Sequence, residues 1–181
     1  TQIINDRGIH ICKSMIAWQL HGKGETPQSA GLKGDHLVGK YYVLFDQLYK
    51  KEMAELISQG ESEAFAKDNA PILLDAKKML IKWEQNNKEV RDLWTKMNGW
   101  VYDGFDKTYS DLGVAFDRLY YESDTYELGK SEVIKGISEN IFYKKEDHSV
   151  WCDLSNDKLD DKLLIRSDGT TVYMLSLIHI S

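Results

Sequence analysis

Apolar positions recur at three- and four-residue steps over much of this chain, then give way after about residue 113 to shorter, partly alternating runs. Residues 1–4 (TQII) read as a short strand. After a polar turn, Ile9, Cys12, Ile16 and Leu20 fall at helical spacing, which predicts a helix over 9–20 with Asp6 as its cap and Gly8 in its first turn. Residues 22–36 hold four of the 13 glycines and one of the two prolines, and read as a loop whose Asp35 can cap the next helix. That helix is expected over 37–57, on a stripe of Leu37, Tyr41, Leu44, Phe45, Leu48, Met53, Leu56 and Ile57. Lys40, Lys50, Lys51, Glu52 and Glu55 form its solvated face. A further helix over 71–85 carries Ile72, Ala76, Met79, Leu80 and Trp83, with Pro71 at a first-turn position. Another over 88–108 carries Val90, Leu93, Trp94, Met97, Trp100, Val101 and Phe105, whose spacing assigns these aromatic residues to a core.

The second part reads differently. Residues 114–123 (VAFDRLYYES) are rich in β-formers, 125–138 read as a helix, and 141–155 as a hairpin turning at 146–148. Residues 162–174 read as a strand, an Asp-Gly turn and another extended piece. A strand–helix joint, a helical layer and a return to strands is the order of an α/β domain interrupted by an insertion.

Length and charge narrow the classes. The chain has 181 residues, 42% hydrophobic and 29% charged, enough for one medium domain or one and a half small ones. Mean hydropathy is −0.47, and no apolar run approaches the roughly 18 residues of a membrane span, which excludes an integral membrane protein of the helical kind. The opening TQIINDRGIH has no basic leader followed by an apolar stretch, so no signal peptide is visible. A net charge of −6 argues against a generic nucleic-acid-coating protein but leaves a shaped RNA site open. Two cysteines, Cys12 and Cys152, suit a reducing compartment, and a cytoplasmic location is expected.

Three short motifs have a functional and an ordinary reading each. Asn5-Asp6-Arg7-Gly8-Ile9-His10 is either a substrate-facing turn at a strand's carboxyl end or a plain helix entry. Phe116-Asp117 and Glu122-Ser123 place two carboxylates five apart, on opposite faces if the segment is a strand; solvated charges are the simpler reading. Ser167-Asp168-Gly169-Thr170-Thr171, with Tyr173, is either a donor-rich ligand turn or a hairpin turn. The five histidines do not pair at metal-ligand spacing, and no phosphate-loop, dinucleotide or nucleophile-elbow signature is present.

Taken in order, TQIINDRGIHICKSMIAWQ, GETPQSAGLKGDHLVGKYYV, YSDLGVAFDRLYYES and LLIRSDGTTVYM resemble bacterial arginyl-tRNA synthetases, over residues 1–174. The resemblance implies a fragment of a class I synthetase: a Rossmann-like α/β catalytic core split by a largely helical connective insertion. Residues 1–29 and 162–174 would belong to the core and 30–161 to the insertion. The implied reaction joins arginine to the α-phosphate of ATP, with Mg²⁺ accompanying the nucleotide and no protein-bound metal. The arginyl group then passes to tRNA(Arg), and activation generally needs the tRNA present. A monomeric parent enzyme is expected.

The resemblance also shows departures. The family's His-Ile-Gly-His-type signature lies upstream of the matching segment and its Lys-Met-Ser-Lys-Ser-type loop downstream. Neither occurs here, so the catalytic residues are unknown and the chain alone is expected to be inactive. In the family's Tyr-x-Thr-x-Asp pattern, the Tyr and Asp contact substrate arginine. Tyr173 matches the Tyr, whereas Leu175 and Leu177 stand at the other two positions. Tyr173 is thus the leading substrate contact. Asn5, Asp6, Gly8 and His10 follow, near the adenylate or the tRNA acceptor end, with Asp168 and Gly169 shaping the pocket wall. The closing LSLIHIS resembles a translated sequencing adapter, and 175–181 are expected to be non-native. The alternative is a freestanding helical RNA- or protein-binding module derived from the insertion.

Overall fold

The computed structural model describes residues 1–170 and 172. The chain divides into two compact units, Ile9–Ala115 and a second composed of Thr1–Gly8 with the segment that begins at Phe116.

The unit Ile9–Ala115 is entirely helical: α1 (Ile9–His21), α2 (Pro27–Ala30), α3 (Gly34–Ser58), α4 (Glu63–Asn69), α5 (Pro71–Glu84) and α6 (Lys88–Leu112). The expected stripe of α5 is its buried face, residue for residue: Ile72, Ala76, Met79, Leu80 and Trp83. Helix α3 buries Leu37, Tyr41 and Phe45 but runs off the core at its far end, where Ile57 is exposed. Trp83, 1% exposed, meets Trp94 edge to face, and the Arg91 guanidinium lies 3.5 Å over its ring. At the start of α3, Gly34 sits directly on the backbone of α6. A Cβ there would stand 2.5 Å from the carbonyl carbon of Trp100, so only glycine permits the approach.

Two helices escaped the periodicity argument. Helix α2 lies in the expected loop and is held by a reciprocal capping box between Thr26 and Ser29. Helix α4 has seven residues, too few to display a stripe, and starts on the Ser62 side chain. The solvated face assigned to α3 also needs a correction. The Glu52 carboxylate accepts the backbone N–H of Ile72 at 2.7 Å, capping α5 from another helix because Ala70 before it has no side-chain acceptor.

The other unit holds a parallel pair, β1 (Gln2–Ile4) with β2 (Leu119–Tyr121), in register Ile3 to Tyr120. Helix α7 (Glu122–Ser138) follows β2 directly. Strands β3 (Phe142–Lys144), β4 (Val150–Cys152) and β5 (Lys162–Ile165) form an antiparallel sheet in that order. Helix α7 packs on this sheet through Val133 against Val150, Leu164 and Ile165, with Ile137 and Phe142 closing the cluster. The hairpin expected over 141–155 is present as β3 and β4. The extended run expected over 114–123 is not: only three residues are strand, and Glu122 opens a helix. Asp117 and Glu122 therefore do not share a strand. The acidic first turn of α7, Glu122 and Asp124, is the helix-start signal that the β-rich run obscured. The chain is thus α/β, with a small parallel pair, an antiparallel sheet and a separate helical unit.

Candidate functional site

Two of the three short motifs meet in the mixed α/β unit, with the arginine just before the third beside them. Strand β1 ends at Ile4, and the next two side chains turn inward: Asp6 is 2% exposed and Arg7 1%, while Asn5 is exposed. Both carboxylate oxygens of Asp6 are engaged by Ser123. The Ser123 backbone N–H donates to Oδ1 at 2.8 Å and its hydroxyl to Oδ2 at 2.6 Å. Tyr121, the residue before α7, offers no side-chain cap. A carboxylate 117 positions earlier in the chain supplies it, where the helix dipole favours negative charge. Asp6 thereby ties the end of β1 to the start of α7.

Arg7 lies beside Asp6 in the same interior. Its Nη1 is 3.6 Å from Glu122 Oε1, and its guanidinium stacks 4.2 Å above the Tyr126 ring. Glu122 is 2% exposed, and its Oε2 has no hydrogen-bond partner among the described residues. Burial pushes its carboxyl up to about 7, partly opposed by Arg7 and Arg166 and reinforced by Asp6. Reading Glu122 as a solvated charge is therefore wrong. No spacing rule could reveal a carboxylate whose partner stands 115 positions away (122 − 7). Gly8 closes the turn at φ 107°, a conformation that a residue with a Cβ enters only at a cost.

The Asp-Gly turn after β5 folds on itself. Asp168 Oδ1 accepts from the Thr170 backbone N–H at 2.9 Å and from its hydroxyl at 2.7 Å, with Gly169 at φ 82°. Asp168 and Gly169 are exposed, whereas Thr170 is 1% exposed and receives Arg166 Nη1 at 3.2 Å on its hydroxyl. His10 is an exposed residue of α1, in the helical unit. Tyr173, Leu175 and Leu177 lie outside the described residues. Among the described residues, no group of three or more His, Cys, Asp or Glu side chains could hold a metal. Nor is any helix among them long and apolar enough to cross a membrane. A cavity of about 360 Å³ opens in the helical unit between α1, α5 and α6, but it contains none of the motif residues.

Comparison with known proteins gives this arrangement a context. The chain is 59% identical over 174 residues to the arginine–tRNA ligase of Bacteroides fragilis, and 60% identical over 173 residues to that of Amoebophilus asiaticus. It is also 60% identical over 174 residues to the corresponding protein of Flavobacterium psychrophilum. The chain is homologous to a segment of bacterial arginine–tRNA ligase. The matches cover 95–96% of this chain and 29% of each relative, so it spans under a third of the ligases it matches. No protein-family model matches it.

Proposed function

We propose that this chain is the part of an arginine–tRNA ligase that carries one corner of the catalytic core and its connective insertion. The whole protein then activates arginine with ATP, supplied as its Mg²⁺ complex, and transfers the arginyl group to tRNA(Arg) in the cytoplasm, as a monomer. Residues 1–29 and 162–174 belong to the core in this reading, and 30–161 to the insertion. The observation that carries it is identity of 55–60% to several ligases along nearly the whole chain.

Within this reading Tyr173 contacts substrate arginine. The exposed Asn5, with Gly8 and His10 after it, faces the adenylate or the acceptor end. Asp6 lies beneath that surface and acts by holding it, and Asp168 with Gly169 shapes the pocket wall. A guanidinium substrate is best read by a bidentate carboxylate; the family's Asp position is Leu177 here. The 181 residues alone, without either nucleotide signature, do not catalyse activation.

The test is to read the source DNA beyond both ends. The proposal expects a frame that runs upstream into a His-Ile-Gly-His-type motif, and downstream from Met174 into Thr-x-Asp in place of Leu175 and Leu177. A start codon directly before Thr1 and a stop directly after Ser181 would overturn it in favour of a freestanding binding module.

A further inference from the structure

We propose that Arg7 and Glu122, with Asp6 and Ser123, form a latch that positions the Asn5–Gly8 turn for catalysis, closed when Glu122 is ionised. The inference rests on the ligase reading above and assigns Glu122 as a positioning residue within it.

The geometry supports a latch over simple packing. Asp6 and Arg7 leave the turn on its buried side and grip consecutive residues of one helix start, Ser123 and Glu122. The turn between strand and helix is therefore tied at two points to α7, and α7 is itself fixed on the antiparallel sheet through Val133. Asn5, between β1 and the tied residues, is left exposed. Two ties to one rigid element fix both position and orientation, which is the requirement for a substrate-facing turn.

The charges make the latch responsive. Glu122 is faced by Arg7 and Asp6 from the turn after β1 and by Arg166 from the segment after β5; Ser123, Thr125 and Tyr126 are its neighbours on α7. With Glu122 ionised, two carboxylates balance two guanidinium groups. With Glu122 protonated, Arg7 loses the charge that holds it at 3.6 Å, and one of the two ties weakens. A buried carboxylate retained at such a site costs stability compared with an apolar residue.

The experiment uses the full-length ligase that carries this segment, in arginine-dependent ATP–pyrophosphate exchange with tRNA present, across pH 6 to 8.5. Glu122→Gln keeps shape and removes the charge. The expected result is a fall in kcat of about tenfold or more, with the acid limb near pH 7 absent from its profile. Ser123→Ala leaves all four charges in place; it should lower kcat by a smaller factor and keep the limb. If the Gln variant fails to fold, Glu122→Asp, which keeps the charge but shortens its reach to Arg7, decides: it should lower kcat and keep an acid limb, and wild-type kcat in that variant overturns the latch. Variants that melt earlier but retain wild-type kcat and pH profile overturn the latch while leaving the ligase reading intact. A wild-type protein without exchange activity removes the ligase reading and the latch together.

Discussion

Gly34 and Gly39 lie on the same helix, five residues apart, and the structure predicts opposite responses to alanine. At Gly39 nothing lies within 4 Å of a built Cβ, so the substitution adds only helix propensity. Alanine is favoured over glycine inside a helix by about 1 kcal/mol, and Gly39→Ala should stabilise the helical unit by about that amount. At Gly34 the new methyl overlaps the carbonyl group of Trp100, and the obstacle is backbone, which cannot rotate away. Helix α3 must lift from α6, which opens the contact between them. Overpacking of this kind costs about 1–3 kcal/mol, and the propensity gain is small at a first-turn position. The net expectation is a loss of about 2 kcal/mol. With a urea slope in the ordinary range, this moves the unfolding midpoint down by about 1 M, whereas Gly39→Ala moves it up by up to about 1 M. The assay is urea unfolding of the 181-residue chain followed by far-UV circular dichroism and tryptophan fluorescence. Trp18, Trp83, Trp94 and Trp100 all report on the helical unit, and Trp151 alone on the other. If both variants shift the midpoint in the same direction, the backbone contact between α3 and α6 is wrong.

Three further outcomes follow from named contacts. Glu52→Ala leaves the Ile72 amide at the start of α5 without its acceptor and should cost about 1 kcal/mol, seen as faster hydrogen exchange confined to the first turn of α5. Trp83→Ala empties a site that is 1% exposed and should cost about 3–5 kcal/mol, measured by the same urea titration. Glu122 titrates at about 7 in the fold against an ordinary 4.5, so between these values the folded state binds more protons than the unfolded one. Stability of the mixed α/β unit therefore falls as pH rises through that window, by at most about 3 kcal/mol and by less where water reaches the pair. Hydrogen exchange of α7 at pH 5 and pH 8 measures it, and Glu122→Gln should flatten the dependence.

The helices that could be read from the sequence are those whose burial is set by their own repeat. Helix α5 shows this most fully, because every residue of its expected stripe is buried. Helix α3 shows the limit: period alone does not say where a 25-residue helix leaves the core. The missed features share a different cause. On the sequence Glu52 reads as a solvated charge and Asp6 as the cap of the helix that follows it, yet each caps a distant helix whose own start has no side-chain acceptor, across 20 and 117 positions respectively. Such partnerships are fixed by tertiary packing, and no window of sequence contains both members. The convergence of the NDRG turn with Glu122-Ser123 was accessible only as a pair of short motifs in a fixed order. The sequence therefore pointed to the family before it revealed what those residues touch.

In the reading proposed for it, this chain is a part of an arginine–tRNA ligase and needs the rest of the enzyme to work. The most direct measurement compares the purified 181-residue chain with the full-length gene product in arginine- and tRNA-dependent ATP–pyrophosphate exchange. The account predicts exchange by the full-length protein and none by the chain alone. Exchange catalysed by the isolated chain, or a full-length protein that fails to activate arginine, would contradict it.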